Sequence, residues 1–323
     1  MKLLTALAAG TALMASSTQA QEVRTPEGAL MDTSQDIAYE PGELTEAQLN
    51  ASNADIFTGG GMNVFRRFPR EATEDMVNFY VNALALDSLN PIQLTSTQQM
   101  ILTGVGSMQI KLSAGQQGDR LYNLDGGYAG GTGIRFFLLR YPDEDVVKQR
   151  FADAGFAEPE FVSRGDGLKQ ALVKDPGGFD IVLLIAPGAQ DNADDGVGIG
   201  IGVSDLEQSR AFYRDFVGLE ELEPVEATVL GTTLYPYQFN ETIVMLYEAM
   251  GSNADNGSAG IQYVVSDAPL AAARGEHRDI AVETPLNVLG GFGLITVWLN
   301  DPDGVTNYFA QVGRGPQTAS AVD

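Results

Sequence analysis

Two local motifs, each occurring twice in this chain, constrain its fold more than any other feature. The stretch VSDLEQSRAFYRDFVGL, Val203 to Leu219, follows an alternating run (Ile199, Ile201, Val203). It places Asp205 as a helix N-cap and then Leu206, Phe212, Tyr213 and Phe216 on one helical face. The stretch NDPDGVTNYFAQV, Asn300 to Val312, reads as the end of a strand over Thr296 to Leu299, an Asp-Pro-Asp-Gly turn and a further strand. Earlier, RFPREATEDMVNFYVNALAL (Arg67 to Leu86) carries Phe79-Tyr80 where the later copy has Phe212-Tyr213, and KDPGGFDIVLLIA (Lys174 to Ala186) matches the later turn and strand. Within each half a strand and helix restart once more, at GIRFFLLRYPDEDVVKQRFADAGF (Gly133 to Phe156) and at GIQYVVSDAPLAAA (Gly260 to Ala273). The chain is therefore built from repeated strand-helix-strand units, in two similar halves separated by the Asp/Asn/Gly/Pro-rich stretch PGAQDNADDG.

In their order, spacing and recurrence these motifs resemble the opening and closing motifs of the vicinal oxygen chelate superfamily, which includes glyoxalase I, the bleomycin-resistance proteins and the extradiol dioxygenases. The resemblance covers roughly residues 61 to 313. It implies an α+β fold of four βαβββ modules paired into two glyoxalase-like cupped-sheet domains. Those domains are expected at 61–187 and 197–313, with a linker at 188–196. A fold alone does not name a reaction.

The ends lie outside this frame. Residues 1–20 have one lysine, a largely apolar run from Leu3 to Met14 and then Thr18-Gln19-Ala20, the pattern of a signal peptide cleaved after Ala20. Residues 21–60 form an acidic N-terminal arm broken by Pro26, Pro41 and Gly42, with one short helix near Leu44 to Asn50, and folded structure is expected from about Gly61. Residues 314–323 form a C-terminal tail. With no cysteine there is neither a disulfide framework nor a lipidation site. The expectation is a periplasmic or secreted protein with no membrane insertion after signal cleavage. A chain of 43 acidic and 19 basic residues, net charge −24, repels nucleic acid and anionic membrane. Homo-oligomerisation stays open.

In metal-using members of the superfamily, His, Gln or Glu side chains on the first and last strands of each module hold a divalent ion. The resemblance puts the first-strand positions at Phe65, Phe136, Gly198 and Gly260, seven residues before the caps Ala72, Asp143, Asp205 and Asp267. The last-strand positions fall on Val182 and Tyr308, four residues after the turn glycines. The strand SMQIKLSA offers Gln109 or Lys111, and TIVMLYEA offers Met245 and Tyr247 on one face or Glu248 on the other. With one histidine in the chain, His277, no two-His-one-carboxylate triad can form, so no metal residue and no cofactor are assigned. An all-oxygen Ca²⁺ or Mg²⁺ site stays open, and Glu276, His277 and Asp279 read as a solvated loop.

Gly198, Gly200 and Gly202 leave one strand face without side chains, either as room for a ligand or as space filled from within the protein. Polar positions on the expected inward faces are Gln109, Lys111 and Asp180 in the first domain, and Tyr247, Gln262 and Tyr308 in the second. Lys111, Asp180 and Tyr308 are the candidate catalytic residues; Gln109, Gly198, Gly200, Tyr247 and Gln262 are the candidate ligand-binding residues. Arg135 and Arg140 lie on opposite faces of one strand. Two functions follow from this set. One is capture of a small aromatic or hydrophobic organic molecule; the other is a cofactor-independent lyase, isomerase or hydrolase using Lys, Tyr and Asp. A structural role in the envelope is a third, without a specific residue behind it.

Overall fold

The computed structural model describes residues 34–36, 44–93, 99–116, 119–164, 167–227, 230–289 and 294–312. The expected signal peptide (1–20), most of the expected arm, the expected tail and the glycine cluster at 290–293 lie outside the described residues. Four modules are present. Module 1 runs from its first strand Phe57–Phe68 to its last strand Met108–Ala114, and module 2 from Gly131–Tyr141 to Asp180–Ile185. Module 3 runs from Gly198–Val203 to Thr242–Glu248, and module 4 from Ala259–Val265 to Thr306–Gln311. The helices begin at the expected caps, Ala72, Asp143, Asp205 and Asp267, and the three aspartates accept N–H groups of the first turn.

The repeated motifs touch each other. In modules 1 and 3 the helix widens to i→i+5 hydrogen bonding around the Phe-Tyr pair, Leu84 N–H to the Phe79 carbonyl (2.9 Å) and Gly218 N–H to that of Tyr213 (3.1 Å). Both aromatics of each pair are thereby buried. The Tyr80 hydroxyl donates to Asp175 in the module 2 turn (3.1 Å), and the Tyr213 hydroxyl donates to Asp301 in the module 4 turn (3.0 Å). Each half of the chain is thus joined, on its helical side, by a tyrosine-aspartate bond between consecutive modules.

The sheets are joined differently. The first strand of module 1 pairs antiparallel with that of module 4, with Phe65 opposite Gly260 and Asn63 opposite Gln262. The first strand of module 2 pairs antiparallel with that of module 3. Each cupped sheet therefore takes one module from each half, and neither closes within 61–187 or within 197–313 as expected. Strand alternation fixes which face a side chain takes but says nothing of its partner strand, and the short connection between Ile185 and Gly198 sets module 3 against module 2.

Side chains alternate between a continuous core under the helices and the interior of the cup. On the last strand of module 1, Met108, Ile110, Leu112 and Ala114 join the core, leaving Gln109, Lys111 and Ser113 for the cup. In module 3, Ile199, Ile201 and Val203 enter the core and the glycine face turns to the other cup. That space is filled. A Cβ on Gly200 would stand 2.1 Å from the Phe136 ring, and one on Gly198 would stand 2.8 Å from the Met245 methyl. In the module 1–4 cup the Phe65 ring lies on Gly260 in the same way, 1.9 Å from where a Cβ would be. Gly260→Ala is expected to cost about 1–3 kcal/mol through overpacking. Urea denaturation in a double-mutant cycle with Phe65→Ala should return a coupling of about 1 kcal/mol or more, and additive costs would disprove the contact.

Folded structure starts before Gly61. Ser34–Asp36 pairs antiparallel with Leu289–Asn287 at the edge of the module 1–4 sheet, and a helix spans Glu46–Asn50 behind a Thr45 capping box. The buried Arg274 holds this segment through the Gln48 carbonyl (2.8 Å), the Ser52 carbonyl (2.8 Å) and Asp55 (2.6 Å). His277 belongs to the same contact, 3.3 Å from Asn50 Oδ1. Among the described residues no helix is long and apolar enough to cross a membrane.

Candidate functional site

The two cups differ in what fills them. In the cup of modules 2 and 3, Phe136, Val182, Leu230, Leu234, Met245 and Tyr247 pack into a cluster with Tyr128 and Leu138 against it. The Tyr247 hydroxyl donates to the Tyr128 carbonyl (2.7 Å), and burial raises its pKa. Asp180 accepts the Tyr128 N–H (2.7 Å) and the Lys174 ammonium. These contacts hold Tyr128 over the cup. Asp180, Tyr247, Gly198 and Gly200, expected to be functional, are here parts of a packed interior. Arg135 is likewise structural, donating to the carbonyls of Gly131, Asn123 and Asn253.

The cup of modules 1 and 4 is lined differently. Lys111 sits beside Phe65 and opposite Leu102, Phe65 opposite Gly260, Gln262 beside Tyr308, and Tyr308 opposite Trp298. Adjacent strands are about 4.8 Å apart, so Gln262 lies two strand spacings from Lys111 and one from Tyr308. The Lys111 ammonium spans its two spacings and donates to Gln262 Oε1. The same oxygen accepts Asn63 Nδ2 (3.3 Å), and Asn63 Oδ1 accepts the Gln109 N–H (2.9 Å). Two of the expected residues, Lys111 and Gln262, therefore touch although they come from opposite ends of the chain, and Gln109 and Tyr308 lie on the same face of the flanking strands.

Burial lowers the Lys111 pKa to about 8. Burial raises that of Tyr308, whose hydroxyl lies against Thr296, so the phenol stays a neutral donor at physiological pH. Trp298, the single tryptophan, packs edge-on to Tyr308 with ring centroids 5.1 Å apart. Arg67 lies over the Phe65 ring (4.3 Å) and faces Trp298 (5.9 Å), while Arg120 faces Trp298 from the rim (5.4 Å). Beside Arg120 a cavity of about 350 Å³ opens among Asn256, Glu283, Thr284 and Asn300. From the sequence, Phe65 stands out only as a first-strand position of the superfamily, and nothing local marks Arg67, Trp298 or Asn63. The available signal for them was their parity with Lys111 and Tyr308 on neighbouring strands.

A divalent transition metal does not fit either cup. At the positions where the superfamily carries its ligands, one cup presents Phe65, Gly260, Lys111 with Gln109, and Tyr308. The other presents Phe136, glycine, Val182 and Met245 with Tyr247. A buried ammonium repels a cation, and no imidazole or carboxylate stands among these groups. Glu248 is exposed at the end of its strand, and among the described residues no three His, Asp or Glu side chains cluster as a metal site.

No protein-family model matches the sequence, and no curated protein matches it significantly. Solved structures do. Glyoxalase I from Zea mays superposes with a TM-score of 0.61 at 17% identity, covering 78% of this chain and 92% of that one. A Bacillus subtilis protein provisionally named a dioxygenase superposes with a TM-score of 0.58 at 12% identity, covering 80% and 87%. At such identities the likeness concerns the fold. The module order, the paired first strands and these superpositions agree: this chain has the vicinal oxygen chelate, or glyoxalase-like, fold in a four-module form.

Proposed function

We propose that this is an exported, transition-metal-free glyoxalase-like protein that binds a small organic molecule in the cup of modules 1 and 4. The observation that carries the reading is the contrast between the cups. One is packed shut by Phe136, Met245 and Tyr247, whereas the other gathers Lys111, Gln262, Gln109 and Tyr308 beside Phe65, Leu102 and Trp298. An apolar concavity with a few convergent polar groups is the usual form of a small-molecule site. A second reading, a cofactor-independent lyase or isomerase, draws on the same residues. A lysine titrating near 8 can accept a proton, and a tyrosine kept protonated can donate one, on either side of Gln262.

Native mass spectrometry of protein purified from its host under mild conditions tests the reading. A bound small molecule is expected on wild type and on Tyr247→Phe, retained in EDTA, and lost from Gln262→Leu. A molecule lost with Tyr247→Phe but kept by Gln262→Leu would contradict the assignment of the cup. Conversion of the bound molecule, abolished by Lys111→Met, would select the enzyme reading.

A further inference from the structure

Charge in the module 1–4 cup is arranged against the trend of the whole molecule. The chain carries −24, yet three cations stand on the walls of this cup: Lys111 bonds Gln262, and Arg67 and Arg120 face Trp298. The carboxylates near them are already engaged. Glu283 accepts Arg120 and the Thr306 hydroxyl, and Asp255 accepts the Ser258 hydroxyl, the Ser258 N–H and the Asn123 N–H.

Lys111 differs from the two arginines. Arg67 donates to the Gly257 carbonyl (3.0 Å), and Arg120 is paired with Glu283. Among the described residues, the hydrogen-bond partner of Lys111 is one neutral amide oxygen, Gln262 Oε1, and no carboxylate pairs with it. An ammonium has three N–H donors, so most of its capacity and all of its charge remain for something else. The Gln262 amide is oriented to match. Its oxygen takes both Lys111 and Asn63, which turns Nε2 the other way; Nε2 makes no hydrogen bond among the described residues and is not one of their buried unpaired atoms, so it faces solvent within the cup. Two adjacent donors, a largely buried ammonium and an amide N–H₂ open to the cup, are complementary to a group with two acceptor oxygens and negative charge.

Resting on the reading of this cup as a small-molecule site, we propose that its ligand is an organic oxyanion with a planar apolar body. A carboxylate or phosphate is held by Lys111 Nζ and Gln262 Nε2, and the body packs against Trp298, Tyr308 and Phe65. The electropositive cup inside an acidic protein makes the anionic end the orienting one. The aromatic wall sets how far the body extends. Carboxylate and phosphate share this chemistry.

The emission of Trp298 reports on the cup directly because it is the single tryptophan. The full-length exported protein is titrated at pH 7 with benzoate, phenyl phosphate and benzamide, the last a neutral match for benzoate. Benzoate or phenyl phosphate should bind at least about tenfold more tightly than benzamide. Preference for benzoate over phenyl phosphate would assign a carboxylate, and the reverse a phosphate; either supports the proposal. Lys111→Met should abolish the preference, and Lys111→Arg should keep it. Affinity for the preferred anion should fall as pH rises through about 8, where Lys111 loses its proton. The other charged or titratable groups around the cup are Arg67, Arg120, Glu283, Asp255 and Tyr308, and Lys111→Met, which lacks the ammonium, should lose this pH dependence. Equal binding of benzamide and the anions by wild type would overturn the oxyanion while leaving the cup as the site. Undiminished anion preference in a folded Lys111→Met would overturn it as well. No response to any of the three probes would overturn the proposal and the underlying reading together.

Discussion

Asp175→Ala is expected to be among the most destabilising single substitutions in this protein, costing about 3–5 kcal/mol. The carboxylate is buried and accepts two N–H groups from one edge of the Arg66 guanidinium, Nε at 2.9 Å and Nη2 at 3.2 Å, with neither side chain exposed. It also accepts the Tyr80 hydroxyl at 3.1 Å and the Phe179 N–H at 2.9 Å. Its removal strands a buried guanidinium whose remaining partners are the carbonyls of Arg67, Ser258 and Gly177. Arg66 lies on the sheet shared by modules 1 and 4, whereas Asp175 lies in module 2, so the pair also ties one cupped sheet to the other. Asp301 provides the internal comparison, since it accepts Tyr213 in the equivalent way. Among the described residues its side-chain partners are the N–H groups of Asp303 and Val305 and the Tyr213 hydroxyl, without a guanidinium, and burial pushes its carboxyl up to about 7. Urea denaturation at pH 7 should therefore show a clearly smaller loss for Asp301→Ala. Equal losses would mean that the Arg66 pair contributes nothing specific.

Lys111→Met should act in the opposite direction and make the protein more stable. The folded-state pKa lies near 8, below the usual 10.5, so the unfolded chain binds this proton more readily than the folded one. The cost of the buried charge is full below about pH 8 and is relieved as pH rises from 8 to 10.5. At roughly 1.4 kcal/mol per unit, it amounts to about 1–3 kcal/mol after allowance for residual hydration. The variant should thus gain about that much over wild type at pH 7 and little at pH 10.5, as read by paired denaturation curves at the two pH values. A loss of stability at pH 7 would mean that the lysine is compensated by protein groups and is not held for a ligand. Greater stability combined with lost anion preference is the signature of a residue retained for function.

Much of this was legible locally. The helix caps, the Phe-Tyr pairs, the Asp-Pro turns and the alternation along Met108–Ala114 each depend on a few neighbouring residues. From that alternation Gln109 and Lys111 follow as cup residues, and Gln262 and Tyr308 follow in the same way from their own strands. The pairing of modules was not legible, because the same alternation suits either partner. Consequently Lys111 and Tyr308 were assigned to different domains, although one cup holds both. The glycine face of Gly198 and Gly200 was ambiguous for a related reason. An absent side chain marks space, and what occupies it, here Phe136 and Met245, is decided by a neighbouring strand. Trp298 and Arg67 become part of the site only when the first strands of modules 1 and 4 are set side by side.

Of the two cups, the one formed by modules 1 and 4 is proposed as the ligand site. Crystals grown with 4-bromobenzoate, measured at the bromine absorption edge, test it most directly. An anomalous peak is expected in the cup of modules 1 and 4, with the carboxylate toward Lys111 and Gln262 and the ring against Trp298 and Tyr308. A peak among Phe136, Met245 and Tyr247, with the module 1–4 cup empty, would contradict it.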